Sequence, residues 1–202
     1  MLAETNLTLL DTGYSGVAVY TRQSKVTPIK AEEGITGILS PPSHPTATSY
    51  LSLPPKEQIG GYPDLCRDDA ILLDSEGRAL VIDFGAFVLI GTYSPANRDS
   101  SRLEYRTEFI RTLFERCRNL IQLGRKVVLT GDLNISRDEI DSAAAKEAMK
   151  QQGLKDYKEN PVRKMFDELL EPHKDGVMVD LCREYWPDRR GMYTCEFSLG
   201  VC

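Results

Sequence analysis

The sequence predicts an α/β fold, because short apolar runs alternate with segments that carry helical periodicity and capping signals. Two near-continuous apolar runs, residues 79–84 and 86–93, flank Gly85 and are typical of a β-hairpin buried on at least one face. An amphipathic segment follows, and Val127 to Leu129 then form a third apolar run, typical of a buried strand. The 202 residues suffice for one domain with a sizeable core.

The first third of the chain carries weaker signals. Residues 14–21 alternate loosely between apolar and polar side chains, which predicts a strand. Residues 31–70 are rich in Pro, Ser, Gly and Thr, and their Pro-Pro and Gly-Gly pairs break regular structure. We therefore expect a long surface insertion there, and we expect His44 within it to be a solvated loop residue.

A long helix is predicted after the hairpin. Ser101 and Glu104 have the spacing of a capping box, and the helix should run to about Leu123 with Gly124 at its C-cap. One apolar face should pack on the sheet, with Leu103, Phe109, Ile110, Leu113, Phe114, Cys117, Leu120 and Ile121. The opposite, mostly solvated side should carry three arginines, Arg111, Arg116 and Arg118.

A polar pair follows the third apolar run. Gly131 permits a tight turn or the close approach of a ligand. If the segment stays extended, Asp132 and Asn134 point to the same side, at the carboxyl end of a strand, where open α/β sheets bind their ligands. Ser136 and Glu139 have the spacing of a second capping box, so a helix should start there.

The polar pair suits metal-assisted phosphodiester hydrolysis. A carboxylate can orient and polarise a water nucleophile, an amide N–H can donate to a phosphoryl oxygen, and Mg²⁺ can neutralise the developing charge. The spacing by itself, however, favours a second interpretation, a loop in which Asp132 caps a turn and Asn134 bonds to its own backbone.

Two further helices are predicted near residues 142–152 and 161–170. The second should turn four apolar side chains inward, those of Met165, Phe166, Leu169 and Leu170. His173 follows in a loop.

Composition restricts the class of protein. The five cysteines have no metal-ligand spacing, and their odd number favours a reducing compartment, cytoplasm or nucleus. No apolar run approaches the ~18 residues of a membrane span. The net charge of −5 argues against autonomous tight DNA binding, although a nuclease needs only a local basic rim.

Six short motifs occur in one order along nearly the whole chain. They are Tyr14-Ser-Gly-Val-Ala18, Gly77-Arg78, Thr92-Tyr-Ser-Pro-Ala-Asn97, Arg102-Leu-Glu-Tyr-Arg106, Gly131-Asp-Leu-Asn134 and Gly191-Met-Tyr-Thr-Cys195. Together they resemble the exonuclease III family of apurinic/apyrimidinic (AP) endonucleases, within the endonuclease/exonuclease/phosphatase superfamily. The fungal class II branch is the most similar, through Lys30-Ala-Glu-Glu-Gly34, Pro95-Ala-Asn-Arg-Asp99 and Leu129-Thr-Gly-Asp-Leu-Asn-Ile-Ser136.

The resemblance implies a fold, an activity and partners. The fold would be an incomplete four-layer α/β/β/α sandwich, formed by a single partial domain over residues 1–202 that contains the insertion at about 31–70. The activity would be metal-dependent cleavage of DNA at abasic sites in base excision repair, with possible 3′-5′ exonuclease or 3′-phosphodiesterase activity. Mg²⁺, or alternatively Mn²⁺, would be the cofactor, DNA containing abasic sites the partner, and the nucleus the compartment, with no membrane association.

The resemblance also implies roles for individual residues. Asp132 would position or deprotonate the attacking water and would also be a metal ligand. Asn134 would contact the scissile phosphate, and Tyr93 would touch the phosphate or a metal-bound water. The resemblance implies roles for four further residues. Asn97 and Tyr193 would bind substrate, Tyr193 and Thr194 would help form the abasic-sugar pocket, and Asp180 would be a structural aspartate near the site.

The sequence also departs from the family pattern. The family's metal-binding glutamate has no clear counterpart, because Glu4 lies too few residues before Tyr14. The Asp-His dipeptide and the PCNA-binding tail of class II members are absent from this sequence. We therefore expect a chain truncated at both ends and weakly active or inactive. The alternatives are a catalytically dead fragment or pseudoenzyme with at most weak DNA binding, and phosphoinositide or sphingomyelin hydrolysis.

Overall fold

The predicted α/β class is confirmed. A computed structural model describes residues 15–22, 25–96 and 100–193, and these contain a four-stranded sheet and five α-helices. The chain divides into two compact units: the first contains residues 1–94 and 115–132, and the second residues 95–114 and 133–202. Within the described ranges no helix is long and apolar enough to cross a membrane.

The sheet lies in the first unit and has the order β1-β2-β3-β4. Its strands are β1 (Lys30–Glu33), β2 (Ala79–Asp83), β3 (Val88–Tyr93) and β4 (Val127–Asp132). The predicted hairpin is confirmed, since β2 and β3 pair antiparallel with Asp83 opposite Val88. Gly85 has φ 77° in the turn, where its amide donates to the Asp83 carboxylate at 2.7 Å.

β4 pairs parallel with β3, which the long intervening helix makes possible. Its burial differs from the prediction of a fully buried strand: Val128 is 42% exposed, and the last three residues are also exposed. The physical reason is its place in the order, because β4 is an edge strand of the sheet that the described residues form.

The segment from 31 to 70 lies only partly at the surface, where its composition predicts an insertion: residues 42–46, with His44, and residues 54–56 are exposed, whereas other parts are buried. It begins in strand β1, and Ile35, Tyr50 and Ile59 are at most 5% exposed. It ends in helix α1 (Arg67–Asp74), whose Asp74 carboxylate accepts hydrogen bonds from the backbone of Ile35 and Thr36. Polar groups bonded to backbone thus bring parts of a sequence without apolar periodicity into the core of the first unit. The expectation of a single domain remains a prediction.

The strand predicted at 14–21 is not formed by the residues described there. Tyr14 lies outside the described residues, and residues 15–22 have no strand assignment. Val17 and Val19 nevertheless lie beside Gly91 of β3, where a Cβ built on the glycine would be 3.5 and 3.3 Å from their methyl groups. The alternating pattern therefore marks a segment whose two valines pack beside β3, although residues 15–22 are not assigned to a strand.

The predicted long helix is α2 (Leu103–Gln122), and Gly124 has the φ of 78° expected just beyond its end. Its residues up to Phe114 belong to the second unit and the remainder to the first. Most of the predicted apolar face is buried, although Leu103 is 47% exposed.

Arg116 was wrongly predicted to be solvated. Its side chain is 1% exposed, and its Nη2 lies 2.9 Å from the Glu32 carboxylate of β1. The guanidinium also stands over the Tyr62 ring, 4.1 Å from the centroid, and donates to the Ile35 carbonyl at 3.3 Å. Helical periodicity does not predict that an arginine is buried, because the carboxylate that compensates the buried charge is far away in sequence.

The second unit contains α3 (Ala145–Gln152), α4 (Pro161–Leu169) and α5 (Leu181–Tyr185). The two predicted helices are thus confirmed. Asn160 caps α4 by accepting from the amides of Val162 and Arg163, and Pro161 occupies the first helical position. The ring of Phe166 stacks on Phe114, with centroids 5.6 Å apart.

The helix predicted to start at Ser136 is not present. A 3-10 turn at Glu139–Asp141 forms instead, and its capping box joins Asp138 with Asp141. The Ser136 hydroxyl is engaged elsewhere, 2.5 Å from the Tyr157 hydroxyl. That tertiary contact competes with the local capping signal.

We predict that Glu32→Ala lowers the free energy of unfolding by about 3–5 kcal/mol, because it leaves the Arg116 guanidinium buried without its carboxylate. Urea unfolding measures the change. In the double variant Glu32→Ala/Arg116→Met the loss should be smaller than the sum of the two single losses.

Glu108→Ala is the matched control, since it removes the ion pair with Arg111, whose side chain is 56% exposed. Its cost should stay below about 0.5 kcal/mol. Equal losses for Glu32→Ala and Glu108→Ala would contradict a structural role for the buried pair.

Candidate active site

Two of the predicted site residues, Tyr93 and Asp132, are brought side by side at the ends of adjacent strands. They are the last residues of β3 and β4 and are Cα partners in the parallel register. The ladder continues one step further, since the Ser94 amide donates to the Asp132 carbonyl at 2.8 Å. Both side chains are exposed, Tyr93 to 37%. A phenol and a carboxylate therefore meet in solvent at the carboxyl edge of the sheet, where α/β sheets place ligands.

Gly131 allows this register. It pairs with Thr92 and has φ 120°. A Cβ at this position would lie 1.9 Å from the Thr92 carbonyl oxygen and 2.9 Å from two further backbone atoms, so any other residue would push the strand ends apart. The glycine thus sets the spacing between the two candidate catalytic strands directly before Asp132.

Arg78 fixes the end of β3 at Tyr93. Its guanidinium is 5% exposed and donates to the Tyr93 carbonyl at 3.1 Å and to the Glu76 carboxylate at 2.6 Å. The Tyr93 ring lies close to the same guanidinium, with the centroid 5.6 Å from the central carbon. The Arg78 carbonyl in turn accepts from the Tyr93 amide at 2.9 Å. Backbone and ring of Tyr93 are therefore fixed by one buried arginine.

In the second unit, Arg106 does the same for Asn134. Its Nη2 donates to the Asn134 carbonyl at 2.7 Å, and its Nε donates to the Pro95 carbonyl at 3.0 Å. Burial, and secondarily the charge of Arg163, lowers the pKa of Arg106. Asn134 has φ 52°, a left-handed conformation that asparagine tolerates better than most residues. The extended conformation that would make Asp132 and Asn134 point to the same side therefore does not continue through Asn134, since β4 ends at Asp132.

The other predicted site residues have different outcomes. Tyr193 is 43% exposed and lines a pocket of about 650 Å³ in the second unit, together with Lys146, Lys158 and Arg190. Asp180 accepts from the Arg183 amide at 3.0 Å as the N-cap of α5. Three residues, Glu4, Asn97 and Thr194, lie outside the described residues.

Asp132 is the only predicted metal ligand that the structure describes. Among residues 15–22, 25–96 and 100–193 no group of three His, Cys, Asp or Glu side chains is placed to hold a metal ion. One exposed carboxylate does not make a divalent-cation site, which in proteins draws on several oxygen ligands. The described residues therefore do not by themselves fit the implied Mg²⁺.

Sequence reasoning missed the two arginines that position the site. Arg78 and Arg106 both lie within motifs that carried the family resemblance, Gly77-Arg78 and Arg102 to Arg106. Those motifs were the available signal, but they do not indicate that the two arginines donate hydrogen bonds to the main chain of the candidate site. Their partners, the carbonyls of Tyr93, Pro95 and Asn134, could not be read from side-chain types.

Comparisons with known proteins agree with the motifs. A sequence model of the Endonuclease/Exonuclease/phosphatase family matches residues 8–194. The chain is 43% identical over 185 residues to DNA-(apurinic or apyrimidinic site) endonuclease 2 of Schizosaccharomyces pombe, covering 91% of this chain and 35% of that protein. It is 42% identical over 147 residues to the protein of the same name from Saccharomyces cerevisiae, covering 65% of this chain and 28% of that protein.

A solved structure has the same fold. The crystal structure of the Xenopus laevis APE2 catalytic domain matches with a TM-score of 0.62 at 23% identity, over 83% of this chain and 50% of that chain. The predicted endonuclease/exonuclease/phosphatase fold is thereby confirmed. The chain spans about a third of the length of the two yeast relatives named above, 35% and 28%.

We predict that Gly131→Ala lowers the free energy of unfolding by about 2 kcal/mol more than Gly124→Ala does. Both glycines have positive φ, but a Cβ at Gly124 meets nothing within 4 Å, whereas one at Gly131 strikes the Thr92 carbonyl. Gly124→Ala should therefore cost only the backbone term of about 1 kcal/mol. Urea unfolding measures both, and amide exchange of the β3–β4 ladder should accelerate only in Gly131→Ala. Similar losses in the two variants would show that the close approach of the strands is not a constraint.

Proposed function

The chain belongs to the Endonuclease/Exonuclease/phosphatase family, and we propose that it hydrolyses the phosphodiester backbone of DNA at abasic sites. The observation that carries the proposal is the in-register placement of Tyr93 and Asp132 at the ends of β3 and β4. The names of the relatives support the choice of DNA and of abasic sites within a family of several activities.

The proposed reaction is an in-line displacement at phosphorus. Asp132 orients a water molecule and accepts its proton as the oxygen attacks. The side-chain amide of Asn134 donates to a non-bridging oxygen, where negative charge grows, and the Tyr93 hydroxyl donates to the same phosphate. The new bond joins the water oxygen to phosphorus, and the bond between phosphorus and the 3′ oxygen breaks. The leaving oxygen takes up a proton, which gives a 3′ hydroxyl and a 5′ phosphate on the abasic sugar.

The arginines described above contribute pre-organisation. Arg78 fixes the ring and backbone of Tyr93, and Arg106 fixes the backbone of Asn134 in its left-handed conformation. Groups that are already oriented need no reorganisation when charge develops, which is the source of most electrostatic catalysis. We infer that both arginines are positioning residues, since their hydrogen bonds to the site are to backbone carbonyls.

A divalent cation, Mg²⁺ or Mn²⁺, belongs to the proposal, because it would neutralise charge on the phosphate. Asp132 is the carboxylate that would contact it. The described residues supply no further ligand cluster, so the proposed steps depend only on Asp132, Asn134 and Tyr93.

Three finer parts of the proposal follow from the relatives and from the chemistry. A site that cleaves at an abasic sugar can also remove 3′ nucleotides or 3′-blocking groups, because each reaction breaks the same type of bond. DNA containing abasic sites is the proposed partner, and the nucleus is the proposed compartment because the substrate is there.

The second candidate function is DNA binding without catalysis. The observation that favours it is that no group of three potential metal-ligating side chains occurs among the described residues. The two candidates differ in one measurable property, the turnover of an abasic substrate.

We predict that the chain incises a 5′-fluorescein-labelled duplex containing one tetrahydrofuran abasic analogue, in the presence of Mg²⁺ or Mn²⁺, and that the rate is low because of the departures from the family pattern described above. Asp132→Ala should lower the rate of incision at least about 100-fold, because it removes the proton acceptor. Asp132→Asn keeps the size of the side chain and should lose a similar amount. Denaturing gels of the labelled strand measure the rates.

Asp64→Ala is the matched control, since Asp64 is an exposed aspartate of the same unit in a segment without helix or strand. Its rate should equal that of the unaltered chain. A rate that is at the buffer background in the unaltered chain, or that survives Asp132→Ala, would reject the hydrolytic proposal and leave the binding function.

A further inference from the structure

Two adjacent aromatic rings stand in solvent directly after α5. Tyr185 is 70% exposed and Trp186 is 52% exposed, and their ring centroids lie 6.0 Å apart at an angle of 56°. A single exposed apolar side chain is ordinary, but neighbouring large rings left unburied are typical of a binding surface. We call Tyr185, Trp186 and the following Arg189 the aromatic platform.

The backbone of the platform is held by Arg183. Its Nη1 donates to the carbonyls of Trp186, Pro187 and Arg189, at 3.2, 3.4 and 2.8 Å. Its Nε donates to the Asp141 carboxylate at 3.0 Å, which anchors the guanidinium. The Trp186 amide also donates to the Cys182 carbonyl at 2.9 Å. The tryptophan is therefore presented by a turn that is already ordered, and binding on its ring would require little further ordering of the chain.

Positive charge accompanies the rings. The Arg189 guanidinium lies 5.9 Å from the centre of the Trp186 ring system. Neither Arg189 nor Arg190 forms an ion pair with any carboxylate among the described residues, in contrast to Arg183. Glu184 and Asp188 are exposed nearby and reduce the local positive potential.

We propose that Trp186 is a stacking site for an unpaired base of single-stranded DNA, with Arg189 and Arg190 contacting the flanking phosphates. Flat aromatic rings accept any base, and arginines without carboxylate partners suit phosphate. A protein partner would be expected to supply acidic side chains for the same arginines, but the proposed substrate already supplies phosphates. The inference deepens the proposed function and shares with it only the premise that the ligand is DNA.

Intrinsic fluorescence tests the proposal directly, because Trp186 is the only tryptophan among the 202 residues. A 12-nucleotide oligo(dT) should quench its emission in a saturable manner. A blunt duplex of the same length and a heparin oligosaccharide should quench much less, since neither offers an unpaired base. Quenching by heparin equal to that by oligo(dT) would indicate mere polyanion binding and overturn the stacking site.

Variants test the same site by fluorescence anisotropy of a labelled oligo(dT). Trp186→Ala should weaken binding about tenfold, while Trp186→Phe should retain most of it because a ring remains. Tyr20→Ala is the matched control, since Tyr20 is an exposed aromatic residue of the first unit, and it should leave binding unchanged. Thermal unfolding by circular dichroism verifies that each variant is folded.

Removing a positive charge and removing a negative charge near Trp186 should have opposite effects on the affinity for oligo(dT). Arg189→Ala and Arg190→Ala should weaken binding and make it less dependent on salt, because each removes a phosphate contact. Glu184→Gln and Asp188→Asn should tighten binding, because each removes a charge that repels phosphate.

An acidic peptide is added in the same fluorescence experiment as a probe for a protein partner. Three results would reject the platform: no quenching by oligo(dT), equal affinities of the unaltered chain and Trp186→Ala for oligo(dT), or quenching by the acidic peptide alone. The incision assay separates this proposal from the enzymatic one. Quenching without incision would reject the hydrolytic function and keep the platform, whereas incision without quenching would do the reverse.

Discussion

The buried ion pair of Glu32 and Arg116 is the interaction on which the first unit depends. Both side chains are almost fully buried, and a lone charge in that environment would be prohibitively unfavourable. Glu32 offsets its own desolvation with two further hydrogen bonds, from the Ile59 amide and the Tyr62 hydroxyl, each of 2.7 Å. One carboxylate thereby joins a strand, a helix and a long irregular segment. Burial and the neighbouring carboxylate also raise the pKa of Tyr62, which keeps its hydroxyl protonated as a donor.

Buried arginines that bind backbone recur at the candidate active site. Arg116, Arg78 and Arg106 each use a rigid, permanently charged donor fork, and each bonds at least one main-chain carbonyl. The partners of Arg78 and Arg106 lie at or just beyond the strand ends, where the ladder no longer satisfies the backbone. Because these hydrogen bonds form away from water, they hold the loops more firmly than surface contacts would. The catalytic candidates themselves can then remain exposed to substrate.

The elements that could be predicted from the sequence are those whose signals are local. The hairpin of β2 and β3, the helix α2 and the Asn160-capped α4 follow from apolar periodicity and turn or cap residues. The elements that could not be predicted depend on distant partners. Ser136 has a correct capping spacing, but its hydroxyl is bound to Tyr157. Residues 31–70 lack periodicity, yet Asp74 and Glu32 bind the backbone of parts of the segment and help to bury them. Likewise the family resemblance implies separate roles for Tyr93 and Asp132, whereas their pairing depends on the register that Gly131 allows.

Net charge is a poor guide to nucleic-acid binding in this chain, because many of its cations are neutralised internally. Arg116, Arg125, Arg137, Lys158 and Arg183 all lie within 4 Å of a carboxylate. The net charge of −5 therefore includes charges that are already paired within the protein and do not bind a phosphate. What a DNA backbone would encounter is the set of cations outside such pairs, together with the exposed carboxylates beside them, such as Glu184 and Asp188 next to Arg189. Where charges of both signs are mixed, phosphate contacts add less to the affinity for DNA. Rings that stack on bases and groups that recognise the altered sugar then have to contribute more of the binding free energy.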